Sequence, residues 1–134
     1  MAKFSRSDLE RHIKRMRATG AMELEVTPRN VDEARELLFR LIVMQKELRS
    51  IKEEIYVDVK IIQRHYAGQL ARLKTDTGRL LRWANPSRQA QKEIARERDQ
   101  LLLMYEEVQR SLNDVLEKVD DARQEMTWYI EASV

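Results

Sequence analysis

The chain contains no cysteine, only two prolines and three glycines, and no long apolar run. Each shortage closes off a class of protein. Without cysteine there can be no disulfide framework and no thiolate metal site. So little Pro and Gly leaves little material for many turns, so elongated elements are expected. The longest apolar runs, Leu41 to Met44 and Leu101 to Tyr105, fall far short of the roughly 20 residues that cross a bilayer. The opening residues Met1-Ala2-Lys3-Phe4-Ser5-Arg6 lack the apolar core of a secretory signal. No membrane span and a cytoplasmic location are the expectations.

What the chain does have is the palette of long helices. Leu, Glu, Arg, Lys, Gln and Ala dominate, 36% of residues are charged and 43% are hydrophobic, too many for intrinsic disorder. At 134 residues it is one domain by size.

Three helical segments can be read from periodicity. Ser7 precedes Asp8-Leu9-Glu10 as a candidate N-cap, and Leu9, Ile13 and Met16 recur at helical spacing up to Gly20, a natural stop. Residues 22–27 then alternate, with Met22, Leu24 and Val26 between polar neighbours. This predicts an extended linker draped over apolar surface, with a strand paired to an edge as the alternative. Thr27-Pro28 is expected to open the second helix. Its stripe, Ala34, Leu37, Leu41, Met44, Leu48, Ile51 and Ile55, keeps strict 3–4 spacing and continues through Val59, Ile62, Tyr66, Leu70 and Leu73 with stutters. Thr75-Asp76-Thr77-Gly78 and Asn85-Pro86-Ser87 are breakers that place a tip at 76–85, with Asn85 capping the last helix. That helix carries the cleanest stripe: Ile94, Arg98, Leu101, Tyr105, Val108, Leu112, Val115, Val119, Ala122, Met126 and Tyr129, alternating steps of four and three.

Two such helices joined by a short loop fold back antiparallel, because that buries both stripes at small loop-closure cost. The predicted fold is all-α: a long antiparallel coiled-coil hairpin (28–75 and 86–131) preceded by a short helix and linker (1–27). Leu41 is expected near Val119, and Ile55 near Tyr105. The apolar content exceeds what a two-helix seam can bury. Leu37-Leu38-Phe39 and Leu41 to Met44 form one wide zone, and Val57, Val59, Ile61 and Ile62 opposite Leu101 to Tyr105 form another. Large exposed apolar patches are rare in monomers. A homodimer with a four-helix-type core is therefore expected, with Leu38, Phe39, Ile42, Leu102 and Leu103 as the self-association residues and a heteromeric protein partner as the alternative.

Charge is unevenly spread although the net is only +2. Residues 72–98 carry 8 Lys/Arg against 3 Asp/Glu, and residues 99–134 carry 3 against 9. The basic first helix, with Arg11, Lys14, Arg15 and Arg17, is expected to lean on the acidic end of the last one, with Asp114, Glu117, Asp120, Asp121 and Glu125. Around the tip, Arg79, Arg82 and Arg88 surround Trp83. Basic residues beside an aromatic can hold a phosphate backbone and stack a base. Against this, Trp83 with Leu80 and Leu81 can simply plug the end of the bundle.

Chemistry of other kinds finds little footing. The two histidines, His12 and His65, have Leu9 and Ile62 three residues before them, where a helical carboxylate metal site needs Glu. His12 is expected to be solvated and His65 to sit near the seam. There is no Gly-x-Ser-x-Gly elbow and no Gly-rich phosphate loop. Adjacent carboxylates such as Glu53/Glu54 splay apart on a helix. No catalytic residue, metal site or cofactor is expected. The functional expectation is a non-enzymatic coiled-coil interaction or scaffold protein, with nucleic-acid binding through the basic tip as the alternative.

Overall fold

A computed structural model describes residues 6–80 and 86–133, and the side chains of residues 8–73 and 88–133. It is all-helical, with no strand among the described residues. Three α-helices run in chain order: α1 (Arg6–Ala18), α2 (Val31–Leu80) and α3 (Pro86–Ala132), with a single 3-10 turn at Ala21–Glu23. The long α2 packs against α3 as a helical hairpin does. The chain divides into two units, Met1–Glu54 with Val108–Val134, and Ile55–Glu107.

In the first unit three helices share a core. The seam holds Ala34, Leu41, Leu48 and Ile51 of α2 against Leu112, Val115, Leu116, Val119, Ala122 and Met126 of α3. Leu9, His12 and Met16 of α1 are buried as well. Gly20, in the left-handed conformation at φ 77°, turns the chain out of α1 without the steric penalty a side chain would meet there. Thr19 secures the same turn: its hydroxyl donates to the Met16 carbonyl at 2.7 Å and accepts from the Ala21 amide at 3.2 Å. Residues 24–28 are irregular, with Leu24 and Val26 half-buried between exposed Glu23, Glu25 and Thr27. The alternation thus has one inward side without a strand pairing.

α2 begins later than the Thr27-Pro28 signal suggests. Asn30 is its cap: the side-chain Oδ1 accepts from the Glu33 amide at 2.8 Å, and the Asn30 carbonyl accepts from Ala34 at 3.0 Å. Asn is among the strongest N-cap residues, and a cap of this kind contributes about 1 kcal/mol. Ser7 lies inside α1 and does not precede it. At its other end α2 runs through Thr75 to Gly78 as far as Leu80, the last described residue before the tip. An isolated glycine costs a helix only about 1 kcal/mol, which the continuing backbone ladder absorbs. α3 starts at Pro86, as expected. Asn85, Trp83 and Leu81 lie outside the described residues.

In the second unit, Ile55, Ile62 and Tyr66 of α2 and Tyr105 of α3 form the buried seam. The register there is fixed by two tyrosines. Tyr66 donates to Glu97 Oε1 at 3.2 Å, and Tyr105 donates to Asp58 Oδ2 at 3.5 Å. Tyr105 therefore meets a residue about one turn beyond Ile55, the neighbour its stripe predicts. Gly68 sits within this stretch of α2, and a Cβ built there has no atom within 4 Å. Gly68→Ala is expected to stabilise the protein by about 0.5–1 kcal/mol, since Ala loses less backbone entropy and has room. A urea midpoint equal to or below that of the parent would contradict this.

Candidate interaction surface

The outer surface of α2 in the first unit is built by the same periodicity that builds its core. Leu41 and Leu48 are buried on the seam side, and Met44 lies toward α1, beside Ala18 and Thr19. The remaining flank carries Leu38, Ile42, Gln45 and Arg49 in a row of three- and four-residue steps. Of these, Leu38 is half-buried and Ile42 is 39% exposed. Phe39, between the flanks, is 68% exposed. An open groove of about 400 Å³ runs along this flank, lined by Ile42, Gln45, Lys46, Arg49, Ser50 and Glu53 of α2 and Arg123 of α3. On α3 a neighbouring depression is lined by Asp120, Arg123, Gln124, Thr127, Trp128 and Glu131, with the Trp128 ring 59% exposed.

Gln45 ties the two helices together under the groove. It is buried, its amide nitrogen donates to Asp120 Oδ1, and its carbonyl oxygen accepts from Arg123 Nη1 at 2.6 Å. A buried amide needs such partners, because leaving it unsatisfied costs about 1–3 kcal/mol. The bonds also set the height of one helix against the other, placing Lys46 level with Asp120 and Phe39 level with Met126 to Trp128.

On the opposite flank α1 docks through Arg15. Its guanidinium donates to Glu47 Oε1 from Nη2 at 2.9 Å and from Nε at 3.3 Å, and it also reaches Glu54. Hydrogen bonding to Glu47 and then to Glu54, with the attraction of both carboxylates, outweighs partial burial and raises the Arg15 pKa above its ordinary value. The basic helix thus pairs with α2, whereas the expectation from charge alone was the acidic end of α3. The 3-10 turn after it reaches α3 through the Lys118 ammonium, which donates to the Met22 carbonyl at 3.5 Å. His12 is also corrected: it is 1% exposed. It lies three residues from Leu9 and four from Met16, on the inner face, while Arg11, Lys14 and Arg17 are exposed.

In the second unit, Leu103 is 54% exposed and Leu102 is half-buried. Tyr56, Val57 and Ile61 are also exposed, and the Lys60 ammonium lies 5.4 Å from the Tyr56 ring centre. His65 is half-buried and meets Tyr66 edge-on, with 5.2 Å between ring centres. Of the basic cluster, Arg88 is exposed on α3, and Lys92 and Arg96 follow it at four-residue steps, both exposed. Arg79 belongs to α2, but its side chain, like Arg82 and Trp83, falls outside the described residues.

Sequence reasoning missed Gln45, since a glutamine between Met44 and Lys46 carries no apolar signal. The clue was position: Gln45 is four residues from Leu41 and three from Leu48. Tyr56 was also not singled out, though it is an aromatic residue off the seam stripe and 57% exposed.

Among the described residues no helix is long and apolar enough to cross a membrane, and no group of three or more His, Asp and Glu side chains gathers as a metal site would require. No protein-family model, no curated protein and no solved structure matches the chain.

Tyr66 provides a pH signature for the seam. Burial, then the negative charge of Glu97, then the bond to it raise the phenol's pKa. Below about pH 10, the ordinary phenol value, folded and unfolded chains both hold the proton. Above it the unfolded chain loses the proton first, so stability falls as pH climbs toward the raised folded value. Tyr66→Phe is expected to cost about 0.5–1.5 kcal/mol near neutrality and to flatten this alkaline fall. Urea midpoints for both proteins between about pH 8 and pH 11 check this, and parallel curves would contradict it.

Proposed function

We propose that this chain is a non-enzymatic, self-associating helical scaffold that binds partners through the flanks its own seam leaves uncovered. The observation that carries this reading is the set of large apolar side chains on the outside: Phe39, Ile42 and Val43 in the first unit, and Tyr56, Val57, Ile61 and Leu103 in the second. α1 covers one flank of α2 in the first unit and leaves the other open. Burying apolar surface is worth about 25 cal/mol per Å², so covering side chains of this size supplies a strong drive to associate. The depressions that accompany them are open and lined mostly by charged and polar side chains, which suits a protein surface better than a small-molecule substrate.

Multi-angle light scattering is expected to report a dimer at micromolar concentration. Phe39→Glu should weaken it at least tenfold while leaving the helical circular dichroism unchanged, because Phe39 is exposed and does not belong to the seam. A wild-type monomer would sink the reading.

A second reading, nucleic-acid binding, is favoured by one observation: Arg88, Lys92 and Arg96 form an exposed basic row on α3. It predicts retention of single-stranded RNA at low salt that falls steeply as salt is raised and is lost in R88E/K92E/R96E. No retention at low salt would end it.

A further inference from the structure

The geometry points to a parallel two-fold dimer of the first unit, in which the open flank of α2 lies on the outer face of α3 from a second copy. This rests on the self-association reading and adds the partner surface and its orientation.

The argument is charge complementarity at matched heights. Along the open flank, α2 presents Arg35, Lys46 and Arg49, all exposed. Across the groove, α3 presents Glu131, Asp120 and Glu117, also exposed. The Gln45 bonds to Asp120 and Arg123 set the antiparallel register. In that register Arg35 stands level with Glu131, Lys46 with Asp120, and Arg49 with Glu117. The apolar pair obeys the same rule, with Phe39 level with Trp128. One face therefore carries a basic row and an acidic row side by side, each with an aromatic at the same height.

A two-fold axis along the helices exchanges the rows without changing height. The basic row of each copy then meets the acidic row of the other, and Phe39 meets Trp128 of the second copy. Such an interface is isologous and self-complementary, so it closes at two copies. An axis across the helices would instead reverse height and bring the Phe39 end toward Arg49 and Glu53. Two residues on the face have the opposite sign to their rows. Arg123 is drawn onto Gln45, and Glu53 lies one turn beyond Arg49, level with the neutral Asn113. Electrostatic matching of this kind selects the partner and the register more than it adds affinity, while the aromatics supply apolar burial.

The test uses two charge-swapped chains: R35E/R49E and E117K/E131K. None of these four side chains holds the hairpin together, so both proteins are expected to keep wild-type helicity. Each alone should dimerise at least tenfold more weakly than wild type, since like-charged rows would face each other. Mixed in equal amounts they should form a heterodimer of near wild-type strength, because each acidified α2 then meets a basic α3. Because the chain has no cysteine, Phe39→Cys and Trp128→Cys give a second readout. A disulfide-linked dimer should form in the mixture and not in either variant alone. If wild type is monomeric, both the scaffold reading and this geometry fail. If wild type is a dimer but the mixture neither recovers nor cross-links, the geometry alone is overturned.

Discussion

A long helix survives in water only while one of its faces is covered, since backbone propensity by itself barely offsets the entropy of ordering. Covering α2 is the constraint from which the rest of this structure follows. In the second unit α3 meets it through a seam of Ile55, Ile62, Tyr66 and Tyr105. In the first unit α1 joins in, and the buried band on α2 widens accordingly. Met44 turns toward α1 and Gln45 toward α3, so two adjacent positions share what a two-stranded coiled coil gives to one. A third flank of α2 stays open, and it is the one that carries apolar residues a solvated face would not need.

Much of this was legible in the residues. All eleven positions of the α3 stripe from Ile94 to Tyr129 are buried or half-buried, including Arg98, because 3–4 spacing projects them to one side whatever their identity. The α2 stripe was read almost as well. Errors arose where a local signal competed with tertiary context. Thr27-Pro28 resembles a helix start, but Asn30 with an acid three residues on is the stronger one. Thr75 to Gly78 resembles a turn, yet α2 runs through it. His12 was judged by its charged neighbours in sequence, although only its place between Leu9 and Met16 on the inner face mattered. Arg15 shows the limit of reading charge by segment: it was matched to the most acidic stretch, while packing brought it to Glu47 and Glu54. As for the surface, Phe39, Ile42 and Leu103 were visible as surplus apolar residues, whereas Gln45 was hidden because its role depends on a helix remote in sequence.

Charges divide the labour with these apolar contacts. Exposed ion pairs contribute about 0–1 kcal/mol each, so the Arg15 pairs orient α1 while Leu9 and Met16 hold it. The mixed rows beside the groove fit the same pattern. Neither row has much energetic weight, but together they give the face a direction, which a purely greasy surface would lack.

Gln45 has a mechanical consequence. Paired helices whose seams are wholly apolar can slide by a turn at modest cost, because one aliphatic contact replaces another. Here a slip of one turn would carry the buried Gln45 amide away from both Asp120 and Arg123. Sliding in the first unit therefore costs both of these bonds, about 0.5–1.5 kcal/mol each, on top of the apolar contacts exchanged.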